Sequence, residues 1–149
     1  MAFHPEDRVV ASCSEDNSIK LWNLDDGGLI STMNVDAGEY GVLSVSFSPK
    51  GDMVAAGCSN GKMYFVDPTA GEIKSSLNAH SDEVNAVAWS PCGRWLAWGG
   101  NDRIVYVYDA KTFDVKSSLN VGYAFSRFST RIFLPARPLF SRFSTRISV

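Results

Sequence analysis

Three sequence marks recur in one phase, at an interval of just over forty residues. Phe3-His4-Pro5, Phe47-Ser48-Pro49 and Trp89-Ser90-Pro91 place their prolines 44 and then 42 residues apart. Asn23, Asp67 and Asp109 each close an apolar run at the same two intervals. Lys74-Ser75-Ser76-Leu77-Asn78 returns as Lys116-Ser117-Ser118-Leu119-Asn120, and Ile30-Ser31-Thr32-Met33-Asn34 is a looser earlier copy. A unit of this length cannot bury its apolar surface alone, so successive copies must stack on one another.

Each unit reads as four short strands. In the second, Val42 to Phe47 alternates apolar and small residues, the pattern of a strand with two different faces. Ser48-Pro49-Lys50-Gly51 is a turn, since Pro presets φ and Gly relieves the exit. Met53 to Cys58 is apolar throughout, as suits a strand buried on both faces. Asn60-Gly61 is a hairpin signal because both residues tolerate φ > 0. Met63 to Val66 supplies a third strand and Ile73 to Leu77 a more polar fourth. The third unit repeats the plan over Val84–Trp89, Trp95–Gly100, Ile104–Tyr108 and Val115–Leu119. The first keeps strands two to four, from Val9 through Met33. No convincing amphipathic helix is present.

Four strands every forty-odd residues, with endings such as Leu21-Trp22-Asn23 and Val107-Tyr108-Asp109, resemble the WD-repeat β-propeller family over about residues 3 to 120. The resemblance implies an all-β fold: an incomplete propeller of four-stranded antiparallel blades with an irregular C-terminal tail. It places a partial blade at 1–34 and full blades at 42–78 and 84–120, together spanning 1–121. Closed propellers need about 4–8 blades, so this chain reads as a fragment of a longer propeller. The family pattern further implies a buried network of His, Ser or Thr, Asp and Trp on adjoining strands. Carried over by position, it offers Ser12, Asp16 and Trp22 in the first blade, and His80, Asp102 and Tyr108 in the third. Trp98 stands where the third blade's hydroxyl belongs. The second blade offers only Asn60, with Gly38, Ala56 and Val66 at the other places, and should lean on apolar packing.

After Asn120 the phase breaks. Phe125-Ser126-Arg127-Phe128-Ser129-Thr130-Arg131-Ile132 nearly recurs from Phe140 to Ile147, a tandem duplication unrelated to the blades. Residues 122–149 form an Arg/Ser/Phe-rich tail, read as disordered, with a basic contact to RNA or lipid and an added strand pair as alternatives. A truncated or misassembled gene product is the simplest account of the junction. Five arginines and no acidic residue lie there, leaving nine basic against sixteen acidic residues in the first 121. An acidic body disfavours nonspecific nucleic-acid or anionic-membrane binding. No apolar run approaches the ~18–20 residues of a membrane span.

Catalytic signals are sparse. Two histidines, His4 read as a surface turn residue and His80 as structural, support no nucleophile–base arrangement. Cys13 and Cys58 read as buried apolar residues, and Cys92 as exposed with no evident activating neighbour. Odd, widely spaced cysteines suit a reducing compartment, so the cytoplasm is expected and the nucleus kept open. No cofactor, metal or small-molecule substrate is expected.

The expected function is a noncatalytic protein–protein interaction scaffold. The alternatives are a propeller portion of a multidomain enzyme and a cytoskeletal or trafficking component. The resemblance implies a binding rim built from loops before first strands and turns after second strands. That rim carries Glu15, Asp36, Glu39, Tyr40, Asp82, Glu83, Asn101 and Arg103, with Asp16 and Asp102 beside them. Its acidity suits a protein partner with a basic surface. An open stack of blades is also expected to self-associate through its uncovered faces.

Overall fold

A computed structural model describes residues 1–122; the tail expectations above lie outside them. The first sheet contains β1 (Ala2–Phe3), β2 (Val9–Cys13), β3 (Ser18–Asn23) and β4 (Leu29–Asn34). The second contains β5 (Val42–Phe47), β6 (Val54–Cys58), β7 (Lys62–Asp67) and β8 (Glu72–Asn78). The third contains β9 (Val84–Trp89), β10 (Trp95–Gly100), β11 (Ile104–Asp109) and β12 (Val115–Asn120). Within each sheet the strands pair in sequence order, every neighbour antiparallel. The chain is all-β over the described residues, and each sheet is one blade of an incomplete propeller.

The first blade has more than the sequence suggests. Ala2 pairs with Ala11 and Phe3 with Val10, so a two-residue stub of its first strand is present. The hairpin after each second strand also differs from expectation. Of Asn60 and Gly61, only Gly61 takes a positive φ, at 78°. The equivalent residues Asn17 and Arg103 follow at 65° and 69°. One left-handed residue per turn is enough to reverse the chain, and Asn tolerates that region better than Arg.

The middle blade carries the stack. All five residues of β6 are buried, and successive side chains point to opposite faces. Val54, Ala56, Cys58, Tyr64 and Val66 join one core with Ala11, Ile19, Leu21 and Met33 of the first blade. Ala55, Met63 and Phe65 join a second core with Val84, Val87, Leu96, Trp98 and Tyr108 of the third. Gly57 on β6 allows a close approach of the third blade: a Cβ there would lie 2.6 Å from Val84 Cγ1. The fourth strands are the least covered, reaching the cores only through residues such as Met33 of β4 and Leu77 of β8. Every residue of β12 is exposed, and β8 is exposed except at Leu77.

Phe65 is 0% exposed and meets Trp98 and Phe113 at ring-centroid distances of 6.3 and 4.5 Å. Phe65→Ala should therefore cost about 3–5 kcal/mol, the range for truncating a core aromatic. Leu119, exposed on β12, should tolerate Ala within about 0.5 kcal/mol. Denaturant unfolding of the two variants checks the contrast, and similar midpoints would contradict a core at the second blade interface.

Candidate interaction rim

At one end of the second and third blades, the loop before the first strand is hydrogen-bonded to the turn after the second. In the middle blade Asn60 N and Ser59 Oγ both donate to Ala37 O, at 3.1 and 2.8 Å. Asn60 Nδ2 and the Tyr64 hydroxyl donate to Asp36 O, at 2.8 and 3.0 Å. In the third blade Asn101 N donates to Glu83 O at 2.9 Å. Val42 N donates to Ser14 O at 3.0 Å and His80 N to Gly61 O at 3.1 Å, so each junction also crosses to the preceding blade. Backbone pairing of this kind holds loop side chains in place on a rigid sheet.

Behind the rim, the polar side chains pair differently in each blade. In the third, His80 Nδ1 lies 2.7 Å from the Asp102 carboxylate, with the His side chain 0% and the Asp 9% exposed. Asp102 also accepts Ile104 N at 3.2 Å. The far nitrogen of the ring, His80 Nε2, is buried without a partner. Trp98 occupies the position from which a hydroxyl would serve it, and its ring instead packs on Tyr108 at 3.9 Å. Tyr108 is thus joined to Trp98 and makes no hydrogen bond to His80 or Asp102, contrary to expectation. The aromatic ring on His80 is Tyr106, edge-on at 4.9 Å.

In the first blade Trp22 Nε1 donates to Ser12 Oγ at 2.8 Å. Asp16 serves its own hairpin rather than a histidine. The Ser18 hydroxyl and then Lys20 Nζ, 3.1 Å away, hold its carboxyl well below the usual carboxylate range. The middle blade fills the corresponding strand positions with fully buried Ala56 and Val66.

The rim charges are less free than the sequence suggests. Glu15, Glu39 and Asp82 are exposed with no ion-pair partner among the described residues. Tyr40, which follows Glu39 in the chain, is 56% exposed. Asp36, by contrast, is paired with Lys62 at 2.6 Å, and that hydrogen bond raises the Lys62 pKa. Glu83 accepts Asn101 Nδ2 at 2.7 Å, and Asn101 Oδ1 accepts Asn85 Nδ2 at 2.6 Å, so both are tied to the sheet. Arg103 is exposed, with no carboxylate in ion-pair range among the described residues. Sequence reasoning misses Lys20, Lys62 and Asn85 because they sit on strands, whereas it collects charges from loops. Their signal is register: each stands within a few residues of a turn.

His4 and Cys92 are also corrected. His4 is not a surface residue: its side chain is only 11% exposed and packs edge-on against Phe47 at 5.1 Å. Cys92 has activating neighbours, the Ser90 hydroxyl first and then Arg94, which lower its pKa. Burial pushes the Cys58 thiol up to about 12 and raises that of Cys13.

Comparison with known proteins agrees with this architecture. A profile for the WD domain, G-beta repeat, matches residues 1–23 and 71–109. A second, for the anaphase-promoting complex subunit 4 WD40 domain, matches residues 34–89. The chain is 37% identical over 71 residues to WD repeat-containing protein 82 of Drosophila melanogaster, which covers 48% of this chain and 22% of the relative. It is 32% identical over 92 residues to U3 small nucleolar RNA-associated protein 4 of Saccharomyces cerevisiae, covering 56% of this chain and 12% of the relative. It therefore spans less than a quarter of either relative.

Two measurements check this geometry. Asp102→Ala strips His80 of its buried partner and should cost about 1.5–3 kcal/mol, the range for a hydrogen bond to a charged group. Asn60→Ala, at an exposed site, should cost less; equal losses in denaturant unfolding would remove the distinction. Alkylation of the folded chain at mildly alkaline pH should modify Cys92 first, because the thiolate is the reacting form. Mass spectrometry showing Cys58 modified as fast as Cys92 would contradict the burial assigned to it.

Proposed function

Because this chain belongs to the WD-repeat family, we propose that it is a noncatalytic protein-interaction scaffold, a portion of a longer propeller, whose acidic rim engages a basic protein surface. The observation that carries this reading is the set of three exposed carboxylates without ion-pair partners, Glu15, Glu39 and Asp82, on the loops and turns of one rim, with the exposed ring of Tyr40 directly after Glu39. An aromatic anchor among like charges suits a partner of opposite sign, since burial of the ring supplies affinity and the charges steer encounter. Lys20 and Lys62 pair with Asp16 and Asp36, and Asn101 and His80 hold Glu83 and Asp102, so the attraction is concentrated on the remaining three. Rigid backbone pairing beneath the loops supports a docking surface rather than a mobile lid. The small share of each relative that the chain spans supports a portion of a larger assembly. Three free cysteines support a reducing compartment, with the cytoplasm as the proposed location.

The test uses a fluorescein-labelled Arg/Lys-rich peptide and the full 149-residue chain. Anisotropy should report binding that weakens as ionic strength rises. The triple reversal Glu15→Lys, Glu39→Lys, Asp82→Lys should abolish it, and Tyr40→Ala should weaken it about tenfold. Binding that is unchanged in the triple variant and insensitive to salt would overturn the acidic-rim reading.

A further inference from the structure

The opposite ends of the blades, where first strands turn into second strands, form a series of repeat-equivalent grooves between neighbours. One of them is filled and the next is open. Between the first and second blades, His4 reaches across to Phe47, its ring against Gly51, where any Cβ would collide with it. Its Nδ1 accepts the backbone N–H groups of Glu6 and Asp7, at 3.2 and 2.7 Å, which fixes the ring. Ser48 stands at the same place in the second blade. Its hydroxyl turns back to Asp52 at 2.6 Å and accepts Met53 N at 3.1 Å. Nothing replaces the imidazole.

A groove of about 820 Å³ remains between the second blade's turn and that of the third, with Asp109–Lys111 along its far side. Trp89 takes the place of Phe47, and its buried Nε1 has no acceptor. Gly93, the counterpart of Gly51, faces only the Pro49 ring. Lys50, Arg94 and Lys111 line the same groove, and none has an ion-pair partner among the described residues. The two carboxylates present are occupied: Asp52 by Ser48, and Asp109 by Lys111 N at 3.0 Å.

We propose that this groove is a docking site for an acidic peptide segment of a partner protein. The segment places one aromatic side chain against Trp89, in the space that His4 fills next door, and its carboxylates meet Lys50, Arg94 and Lys111. Aromatic pairing and burial hold the ring, and the three cations select the charge of its flanks. A nucleic-acid strand offers rings and negative charge too. The Asp52 and Asp109 carboxylates and the Met53, Pro49 and Pro91 walls favour a peptide, whose charges are fewer and more widely spaced than a phosphate backbone's. The site lies away from the acidic rim and selects the opposite charge, so either reading can fail without the other.

The experiment titrates the full chain into a fluorescein-labelled peptide of sequence Glu-Asp-Glu-Phe-Asp-Glu, with circular dichroism as the check on folding. Saturable binding is expected, at least about tenfold weaker when the peptide's Phe is replaced by Ala. Ser48→His should refill the groove as His4 does and weaken binding by a similar factor, as should Lys50→Glu combined with Lys111→Glu at exposed sites. Bound peptide should also slow alkylation of Cys92, which lines the groove. The proposal is overturned by equal binding to the charge-reversed chain or to a folded Ser48→His variant. It is overturned equally by no saturation up to about 1 mM peptide, or by tighter binding of an oligouridine strand than of the peptide.

Discussion

Burial of the middle blade on both faces is the constraint on which the remaining structure depends. A four-stranded sheet with two apolar faces has no stable existence in water, and here each face is covered by a neighbour. The small residues of β6 make this possible. Ala55, Ala56 and Gly57 let flanking sheets approach, while Phe65 and Met63 on β7 fill the space opposite Trp98 and Leu96. The outer blades, covered on one side only, present half-buried strands such as β11. Position in the stack, more than strand composition, sets how deeply a residue lies.

Stacking also explains why the three blades tolerate different polar pairs. Where the first blade has the Trp22–Ser12 bond, the second has buried Ala56 and Val66 and the third has Trp98 packed on Tyr108, while the third blade's His80–Asp102 pair stands where the second has Gly38 and Asn60. Each polar pair contributes only on the order of 1 kcal/mol net, or somewhat more where a charge is involved. Apolar burial between blades is the larger quantity, so one blade can lose a polar pair if its neighbours pack well. The third blade shows the local consequence: Trp98 gains a ring contact with Tyr108, and His80 Nε2 is left without a hydrogen-bond partner.

The rim and the groove at the opposite end differ in which charges they leave without an ion-pair partner, for a structural reason. At the rim, loops and hairpins project carboxylates outward, and strand lysines compensate only the two beside them. At the opposite end, proline-containing turns bring Lys50 and Arg94 to one groove whose carboxylates are already hydrogen-bonded.

Repeat length, strand number, the two-faced second strand and the resemblance to WD repeats were all legible in the residues. They depend on spacing and on period-two alternation, which are properties of the chain itself. Several features were not legible. The Ala2–Phe3 stub exists because β2 offers an unpaired edge. His4 is sheltered because the second blade, more than forty residues on, brings Phe47 and Gly51 against it. Asp36 and Glu83 are neutralised or tethered by Lys62 and Asn101, side chains distant in sequence and adjacent only after the turns pair. Tyr106, rather than Tyr108, meets His80 because alternate residues of β11 lie at different distances from the rim. The sequence by itself determined the unit and its stacking, since periodicity encodes which face is apolar. Only the tertiary structure decided which charges and rings remain available, because that depends on what the neighbouring blade places opposite them.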